Sequence, residues 1–155
     1  MQNGLDPIDI RILEQLQVDA AVSTSELAQR VGLSQSPCWR RIQRLRDEGY
    51  IRGQVVLLDP EKLGLELMVF AQLKTSSLED SERQAFLRAI HAIPEIVECY
   101  SILGERDTMI KVVAPNMKWY QEFIFNTLLK LPGVEDISSV VALSEMKRTT
   151  ALPVR

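Results

Sequence analysis

Residues 23 to 52 hold two short helical patterns only a few residues apart, and this spacing constrains the fold more than any other feature. Ser23, at capping-box distance from a glutamate, predicts a helix start, and Gly32 supplies the left-handed position where such helices end. Ser34 offers a second N-cap, and Gly49 marks the next helix end. The pattern therefore predicts two helices joined by a turn of about three residues, as in a DNA-binding helix-turn-helix.

The second of these helices has an apolar side and a basic side. At 100° per residue, Cys38, Ile42 and Leu45 share one side, which predicts a buried stripe. The opposite side carries donors suited to base edges and phosphates in a major groove. The predicted DNA-contacting residues are Ser34 and Gln35 at the helix start, followed by Ser36, Trp39, Arg40, Gln43 and Arg44.

Charge is segregated along the chain. Residues 30 to 52 carry six arginines against Asp47 and Glu48, a net +4, so the remaining residues carry −7 to reach the chain's −3. A solvated helix face is the alternative reading of any isolated run of charge. A basic patch on an acidic protein, however, favours selective DNA binding over indiscriminate attraction to nucleic acid.

Flanking segments complete the predicted domain. Asp6 as N-cap and Pro7 in the first helical position predict a third helix upstream. The β-branched and apolar stretch from Tyr50 to Leu58 predicts a short hairpin or paired strands, with the bend near Gly53 and Gln54. Together these elements predict a winged helix-turn-helix.

Length and composition predict two small domains, at 1–60 and 61–155. No apolar run approaches a membrane span and the N-terminus is unlike a signal peptide, so we expect a cytoplasmic protein that does not engage membranes. Cys38 and Cys99 lack metal-type spacing, which predicts two reduced, buried thiols, no metal site and no cofactor.

The second half predicts a ferredoxin-like βαββαβ domain, which makes the fold class α+β. The predicted boundary lies near 60 to 65, at a single helical turn. The predicted elements are strand Leu65 to Lys74, helix Glu79 to Ala92, strands Glu95 to Leu103 and Thr108 to Ala114, helix Met117 to Leu131, and strand Val134 to Leu143.

Both faces of the predicted sheet carry apolar residues. In the first strand Val69 and Leu73 alternate with Met68 and Phe70. Helices can cover only one face of the sheet. The apolar residues of the other face therefore predict a homodimer packed sheet to sheet, and the alternative is a monomer with an unusually apolar surface.

The segment between the second and third predicted strands is a candidate effector site. It comprises Leu103, Gly104, Glu105, Arg106, Asp107 and Thr108. One interpretation is a plain polar hairpin. The other is a pocket in which Asp107, free backbone donors and Thr108 bind the ammonium and carboxylate of an amino acid.

The chain resembles the leucine-responsive and asparagine-responsive regulators, the Lrp/AsnC family, over nearly its whole length. The motifs are LDPIDIRILEQLQVDA, ELAQRVGLSQSPCWRRIQRLRDEGYI, VLLDPEKLG, GERD, LPGVEDISS and EMKRTTALP. The resemblance implies a winged helix-turn-helix followed by a ferredoxin-like ligand-binding and oligomerisation domain. It also implies dimers that assemble into octamers or related rings, and transcription tuned by small molecules, often amino acids.

At several positions this chain has the residue that the family's motifs have. The helix positions that match are Ser34, Ser36, Pro37, Cys38, Arg41 and Leu45, and the loop positions are Gly104 and Asp107. Thr108 replaces the family's usual tyrosine and Leu103 stands where serine or threonine is common. These departures argue against an ordinary leucine or branched-chain effector.

The sequence supports three functions to different degrees. The leading hypothesis is a sequence-specific transcriptional regulator whose affinity for double-stranded DNA responds to a small molecule. The second is a nucleoid-type architectural protein that wraps DNA with low specificity and no effector. An enzyme is disfavoured, because the sequence shows no nucleophile with a base, no metal cluster and no phosphate-binding glycine loop.

Overall fold

The computed structural model describes residues 4–76 and 80–154, which divide into two compact units. The first unit comprises the chain up to Leu57 together with the tail that begins at Lys147. The second unit runs from residue 58 to residue 146. Each unit has its own hydrophobic core.

The C-terminal tail packs with the first unit, although the sequence assigned it to the second domain. The Gln17 side chain accepts a hydrogen bond from the Leu152 N–H at 2.5 Å and donates one to the Leu152 carbonyl at 3.0 Å. This paired contact fixes the tail at Leu152 beside the first helix.

The first unit contains three helices: α1 (Pro7–Val18), α2 (Thr24–Val31) and α3 (Gln35–Asp47). All three lie where the capping and periodicity signals predicted them. Their buried sides form one core, made of Ile12, Leu27, Ala28, Val31, Cys38, Ile42 and Leu45.

Side-chain caps begin the first two helices. The Asp6 carboxylate accepts the Asp9 N–H at 2.9 Å, and the Asp9 carboxylate accepts the Asp6 N–H at 3.0 Å, which is a reciprocal capping box. At α2 the Ser23 hydroxyl accepts the Glu26 N–H at 3.2 Å. The Glu26 carboxylate, however, pairs with Arg30 at 2.6 Å, so α2 is capped in one direction only.

The hairpin predicted for Tyr50 to Leu58 is wrong, because this segment contains no strand. Val55 and Val56 are 82% and 83% exposed, and Leu57 and Leu58 are exposed as well. β-Branched residues favour an extended backbone, but a strand also needs a neighbour to receive its hydrogen bonds. Since no described segment pairs with this stretch, it is an irregular linker with exposed apolar side chains.

The second unit follows the predicted βαββαβ order. Its elements are β1 (Leu67–Thr75), α4 (Asp80–His91), β2 (Ile96–Ser101), β3 (Thr108–Ala114), α5 (Met117–Asn126) and β4 (Val134–Val141). The predicted start of α4 at Glu79 lies outside the described residues. The four strands form an antiparallel sheet in the order β2-β3-β1-β4, so β1 and β3 are central.

The helix α5 ends earlier than the predicted Leu131. Thr127 leaves the helical conformation, at φ −126° and ψ −63°, and a short 3₁₀ turn follows at Leu128–Lys130. Leu128 and Leu131 are nevertheless buried. The apolar spacing continues past the end of α5 because the 3₁₀ turn also faces the core. This explains why the sequence predicted a longer helix.

Both α4 and α5 cover one face of the sheet. Phe86 and Ile90 of α4 and Tyr120 and Phe123 of α5 belong to the core that includes alternate residues of β1 and β3. The opposite face, called here the open face, carries Met68, Phe70, Tyr100, Met109, Val113 and Val140, together with an ion pair between Lys111 and Glu98 at 2.9 Å. The open face therefore combines apolar side chains with a charged pair.

No helix in residues 4–76 or 80–154 has the length and apolar character needed to cross a bilayer.

Candidate DNA-binding surface

The orientation of α3 is determined by its buried side. Cys38 and Leu45 have no exposed surface, and Ile42 has almost none. Trp39 lies beside this stripe, on the outer side of the helix, and remains 53% exposed. Because the core holds one side of α3, the helix cannot rotate without exposing apolar surface, and its polar side is presented to solvent.

The predicted contact residues lie on this solvent side. Ser34, Gln35, Ser36, Trp39 and Arg40 are exposed, and Gln43 and Arg44 are half-buried. Ser34 has the extended backbone of an N-cap but makes no side-chain capping bond, contrary to the cap inferred from the sequence. Its hydroxyl thus stays available at the start of the helix.

Trp39 lies beside a polar groove. Thr24, Gln43, Arg46 and Gln54 line this groove together with the indole. The Gln54 amide donates to the Ala20 carbonyl at 3.3 Å, which holds the start of the linker against the helices. An exposed aromatic ring flanked by amide and guanidinium donors suits contact with base edges and the thymine methyl group.

The arginines of α3 have different partners. Arg40 is exposed and forms no hydrogen bond or ion pair with the described residues. Arg41 Nη1 bonds Asp6 Oδ2 at 2.5 Å and Asp9 Oδ1 at 2.8 Å. Arg44 Nη2 bonds Asp9 Oδ2 at 2.5 Å. We call Asp6, Asp9, Arg41 and Arg44 the aspartate–arginine cluster, which joins α1 to α3.

Both aspartates of this cluster are stabilised as anions. The Asp9 N–H and the Arg41 guanidinium lower the pKa of Asp6 from 3.8 to about 2. Burial acts to raise the pKa of Asp9, but the Asp6 N–H, Arg44 and Arg41 outweigh it, so the net shift is downward. Paired, ionised carboxylates thus sit directly behind the basic surface.

Sequence reasoning missed the aspartate–arginine cluster. It identified Asp6 and Asp9 as helix-start residues from their local spacing, and Arg44 as a DNA contact. The pairing joins residues 35 positions apart, and no local spacing encodes such a contact. The only signal in the sequence is the presence of two aspartates at the start of α1 and of several arginines in α3.

The predicted effector loop is only partly exposed. Leu103, Gly104 and Glu105 are exposed, whereas Thr108 is buried. The Asp107 carboxylate accepts the Thr75 N–H at 2.9 Å and the Thr108 hydroxyl at 3.1 Å. Arg106 forms an ion pair with Asp136 of β4. These bonds tie the second half of the loop to the sheet.

Of the two cysteines, Cys38 is buried as predicted, but Cys99 on β2 is exposed. Partial burial of the thiol group itself still raises the pKa of Cys99. Within the described residues no three His, Cys, Asp or Glu side chains are grouped so as to hold a metal ion.

This fold and surface define a class: a helix-turn-helix DNA-binding protein with a second α+β domain. A family model described as winged helix-turn-helix DNA-binding matches residues 5–52. A model described as the Lrp/AsnC ligand binding domain matches residues 68–152. The chain belongs to the Lrp/AsnC family, and is a DNA-binding transcriptional regulator.

Full-length relatives agree with this assignment. The chain is 38% identical over 150 residues to the DNA-binding transcriptional activator DecR of Escherichia coli, covering 97% of this chain and 99% of that protein. It is 37% identical over 151 residues to the leucine-responsive regulatory protein of Escherichia coli, covering 97% and 92%.

Solved structures share the fold. A transcriptional regulator of Neisseria meningitidis, crystallised in complex with L-Met, superposes with a TM-score of 0.92 at 37% identity, covering 96% of each chain. An AsnC family regulator of Agrobacterium tumefaciens gives 0.91 at 38% identity, covering 96% of this chain and 97% of that one.

Proposed function

We propose that this regulator contacts double-stranded DNA through the outer side of α3, binds an amino acid near residues 103–108, and works as a homodimer that assembles into octamers. The DNA-contacting set is Ser34, Gln35, Ser36, Trp39, Arg40, Gln43 and Arg44. The observation that carries this part is Arg40, an exposed cation without a described protein partner on a helix that the core holds rigidly.

The first experiment measures DNA binding by an Arg40→Ala variant. Site selection from a random library supplies the duplex, and fluorescence anisotropy gives affinity as a function of salt. We expect affinity to fall by roughly 1–3 kcal/mol if Arg40 contacts a base, or the salt slope to flatten by about one if it contacts phosphate. Arg88→Ala on α4 removes the same charge from the other unit and serves as the control.

The same selection separates two functions. An enriched palindromic sequence supports a sequence-specific regulator with paired α3 helices. Enrichment that follows only AT content or bendability supports the architectural alternative. Unchanged affinity and salt slope in Arg40→Ala would remove the outer side of α3 as the DNA contact.

The effector proposal rests on the exposed half of the loop and on the family. Leu103, Gly104 and Glu105 face solvent, so a ligand can approach their backbone. The L-Met complex of the Neisseria meningitidis regulator supports an amino acid as the ligand class. Binding would change DNA affinity by favouring one assembly over another.

Thermal-shift measurements across the amino acids, beginning with L-Met, test the effector. A ligand at 100 times its Kd adds about 2.7 kcal/mol of stability. Gly104→Val is the matched variant, because an added Cβ would meet only the Arg106 carbonyl oxygen, at 3.8 Å. We expect it to melt normally without ligand and to lose the ligand shift. No shift with any amino acid would contradict the proposal.

A further inference from the structure

Asp9 is a buried acid with two structural tasks. It has no exposed surface, and it is the only charged side chain so buried among the described residues. Its carboxylate accepts the Asp6 N–H at the start of α1 and also accepts donors from Arg41 and Arg44 of α3. A buried carboxylate held by several donors is rigid, because any movement would leave charge unpaired.

Arg44 is the one member of the aspartate–arginine cluster that also belongs to the proposed DNA surface. It follows Arg40 by four residues, one helical turn, so both lie on the same side of α3. Its side chain remains 42% exposed although Nη2 bonds Asp9 at 2.5 Å. A guanidinium has five N–H donors in a planar fork, so most of them remain available to a ligand.

We infer that Asp9 is a positioning residue for DNA binding. It holds the Arg44 guanidinium in one orientation, so that the N–H groups not bonded to Asp9 are already oriented when they contact DNA. This inference rests on the proposed contact between α3 and DNA. An arginine on an exposed helix normally loses rotamer freedom when it binds, and a prior bond to Asp9 removes most of that cost.

A purely structural role for Asp9 predicts something different. In that case Asp9 stabilises the first unit by capping α1 and joining it to α3, and its loss affects DNA binding only through stability. Charge alone predicts the opposite sign, since removing a carboxylate behind a basic surface should strengthen DNA binding. Positioning predicts weaker binding despite the lost negative charge, and only when Arg44 is present.

The test is a double-mutant cycle on the full chain with the selected duplex, using Asp9→Asn, Arg44→Gln and both together. Asn keeps the side-chain oxygen that caps α1. We expect Asp9→Asn to weaken binding two- to tenfold, the range that corresponds to ordering one long side chain. In the Arg44→Gln background the same change should have no weakening effect. Asp19→Asn, at the C-cap of α1, removes the same charge and is the control; it should not weaken DNA binding.

Two further variants separate the outcomes. Arg44→Lys keeps the charge without the fork, so affinity should fall while the salt slope is unchanged. Asp9→Glu keeps the charge but moves the carboxylate by one methylene, and replaces Asp9→Asn if the latter does not fold. Equal weakening by the Asp9 change in both backgrounds, or wild-type affinity in Arg44→Lys, overturns the inference. Arg40→Ala still reports on the proposed DNA surface, so the two failures are distinguishable.

Discussion

At the scale of single residues, the arginines of α3 differ in what surrounds them and not in their chemistry. Arg41 is bonded to two aspartates, Arg44 to one, and Arg40 to no described residue. A guanidinium bonded to a buried carboxylate stabilises the fold, whereas an exposed, unpaired one is available to phosphate or a base edge. One helix of 13 residues thus carries both arginines that anchor it to α1 and an exposed arginine with no partner among the described residues.

The aspartate–arginine cluster predicts acid sensitivity of the first unit. The folded pKa of Asp6, about 2, lies below its ordinary value of 3.8, and that of Asp9 is lowered too. Their stabilising contribution is therefore present above pH 4 and is lost as the pH falls from about 4 towards 2.

Urea unfolding at pH 7, 4, 3 and 2 measures this loss. A Trp119→Phe background leaves Trp39 as the only tryptophan, so its emission reports on the first unit. We expect a smaller loss of stability between pH 4 and 2 in Asp6→Asn, which has no titrating group at that position. An equal loss in both proteins would assign the acid sensitivity to other carboxylates.

At the scale of elements, the turn between α2 and α3 depends on one glycine. Gly32 has φ +74°, and no atom lies within 4 Å of the position that a Cβ would occupy. A side chain there would be strained by the backbone conformation alone, and not by crowding. The relative placement of α2 and α3 therefore relies on a left-handed residue.

We predict that Gly32→Ala lowers the free energy of unfolding by about 1–2 kcal/mol. Gly53→Ala is the control, because Gly53 has no positive φ and equally open surroundings, so its effect should stay within about 0.5 kcal/mol. Chemical denaturation of each variant measures the difference. Equal effects at the two sites would show that the left-handed conformation does not limit the turn.

At the scale of the whole molecule, two surfaces have no cover within the described chain. One is the open face of the sheet, where Phe70 and Val140 are exposed side by side on paired strands. The other is the apolar linker around Val55 and Val56. Exposed apolar surface of this kind is typical of association sites, and the proposed homodimer would cover the open face.

A charge on the open face should therefore disrupt the dimer. We expect Phe70→Asp to shift the protein to monomer in size-exclusion chromatography with light scattering. Phe125→Asp on α5 lies on the helical side and should leave the dimer intact, although Phe125 is the more exposed of the two. A dimer that survives Phe70→Asp would place the subunit interface elsewhere.

The sequence alone determined the elements whose signals are local. The helix starts at Asp6 and Ser23, the end of α2 at Gly32, and the limits of β3 at Thr108 and Ala114 all follow from residues within a few positions of one another. Caps and periodicity are local because helical hydrogen bonds join residues four apart and strand side chains alternate at every residue. The order βαββαβ was predictable for the same reason.

Only the tertiary structure decided the features that need a distant partner. The segment at 50–58 has strand-forming residues but no neighbour to pair with in residues 4–76 and 80–154, so it is not a strand. Arg44 has the periodicity of a surface residue, yet Asp9, 35 positions away, binds it. A hydrogen bond or an ion pair between remote segments forms only when the fold brings them together. The spacing of residues within a few positions of one another therefore does not predict it.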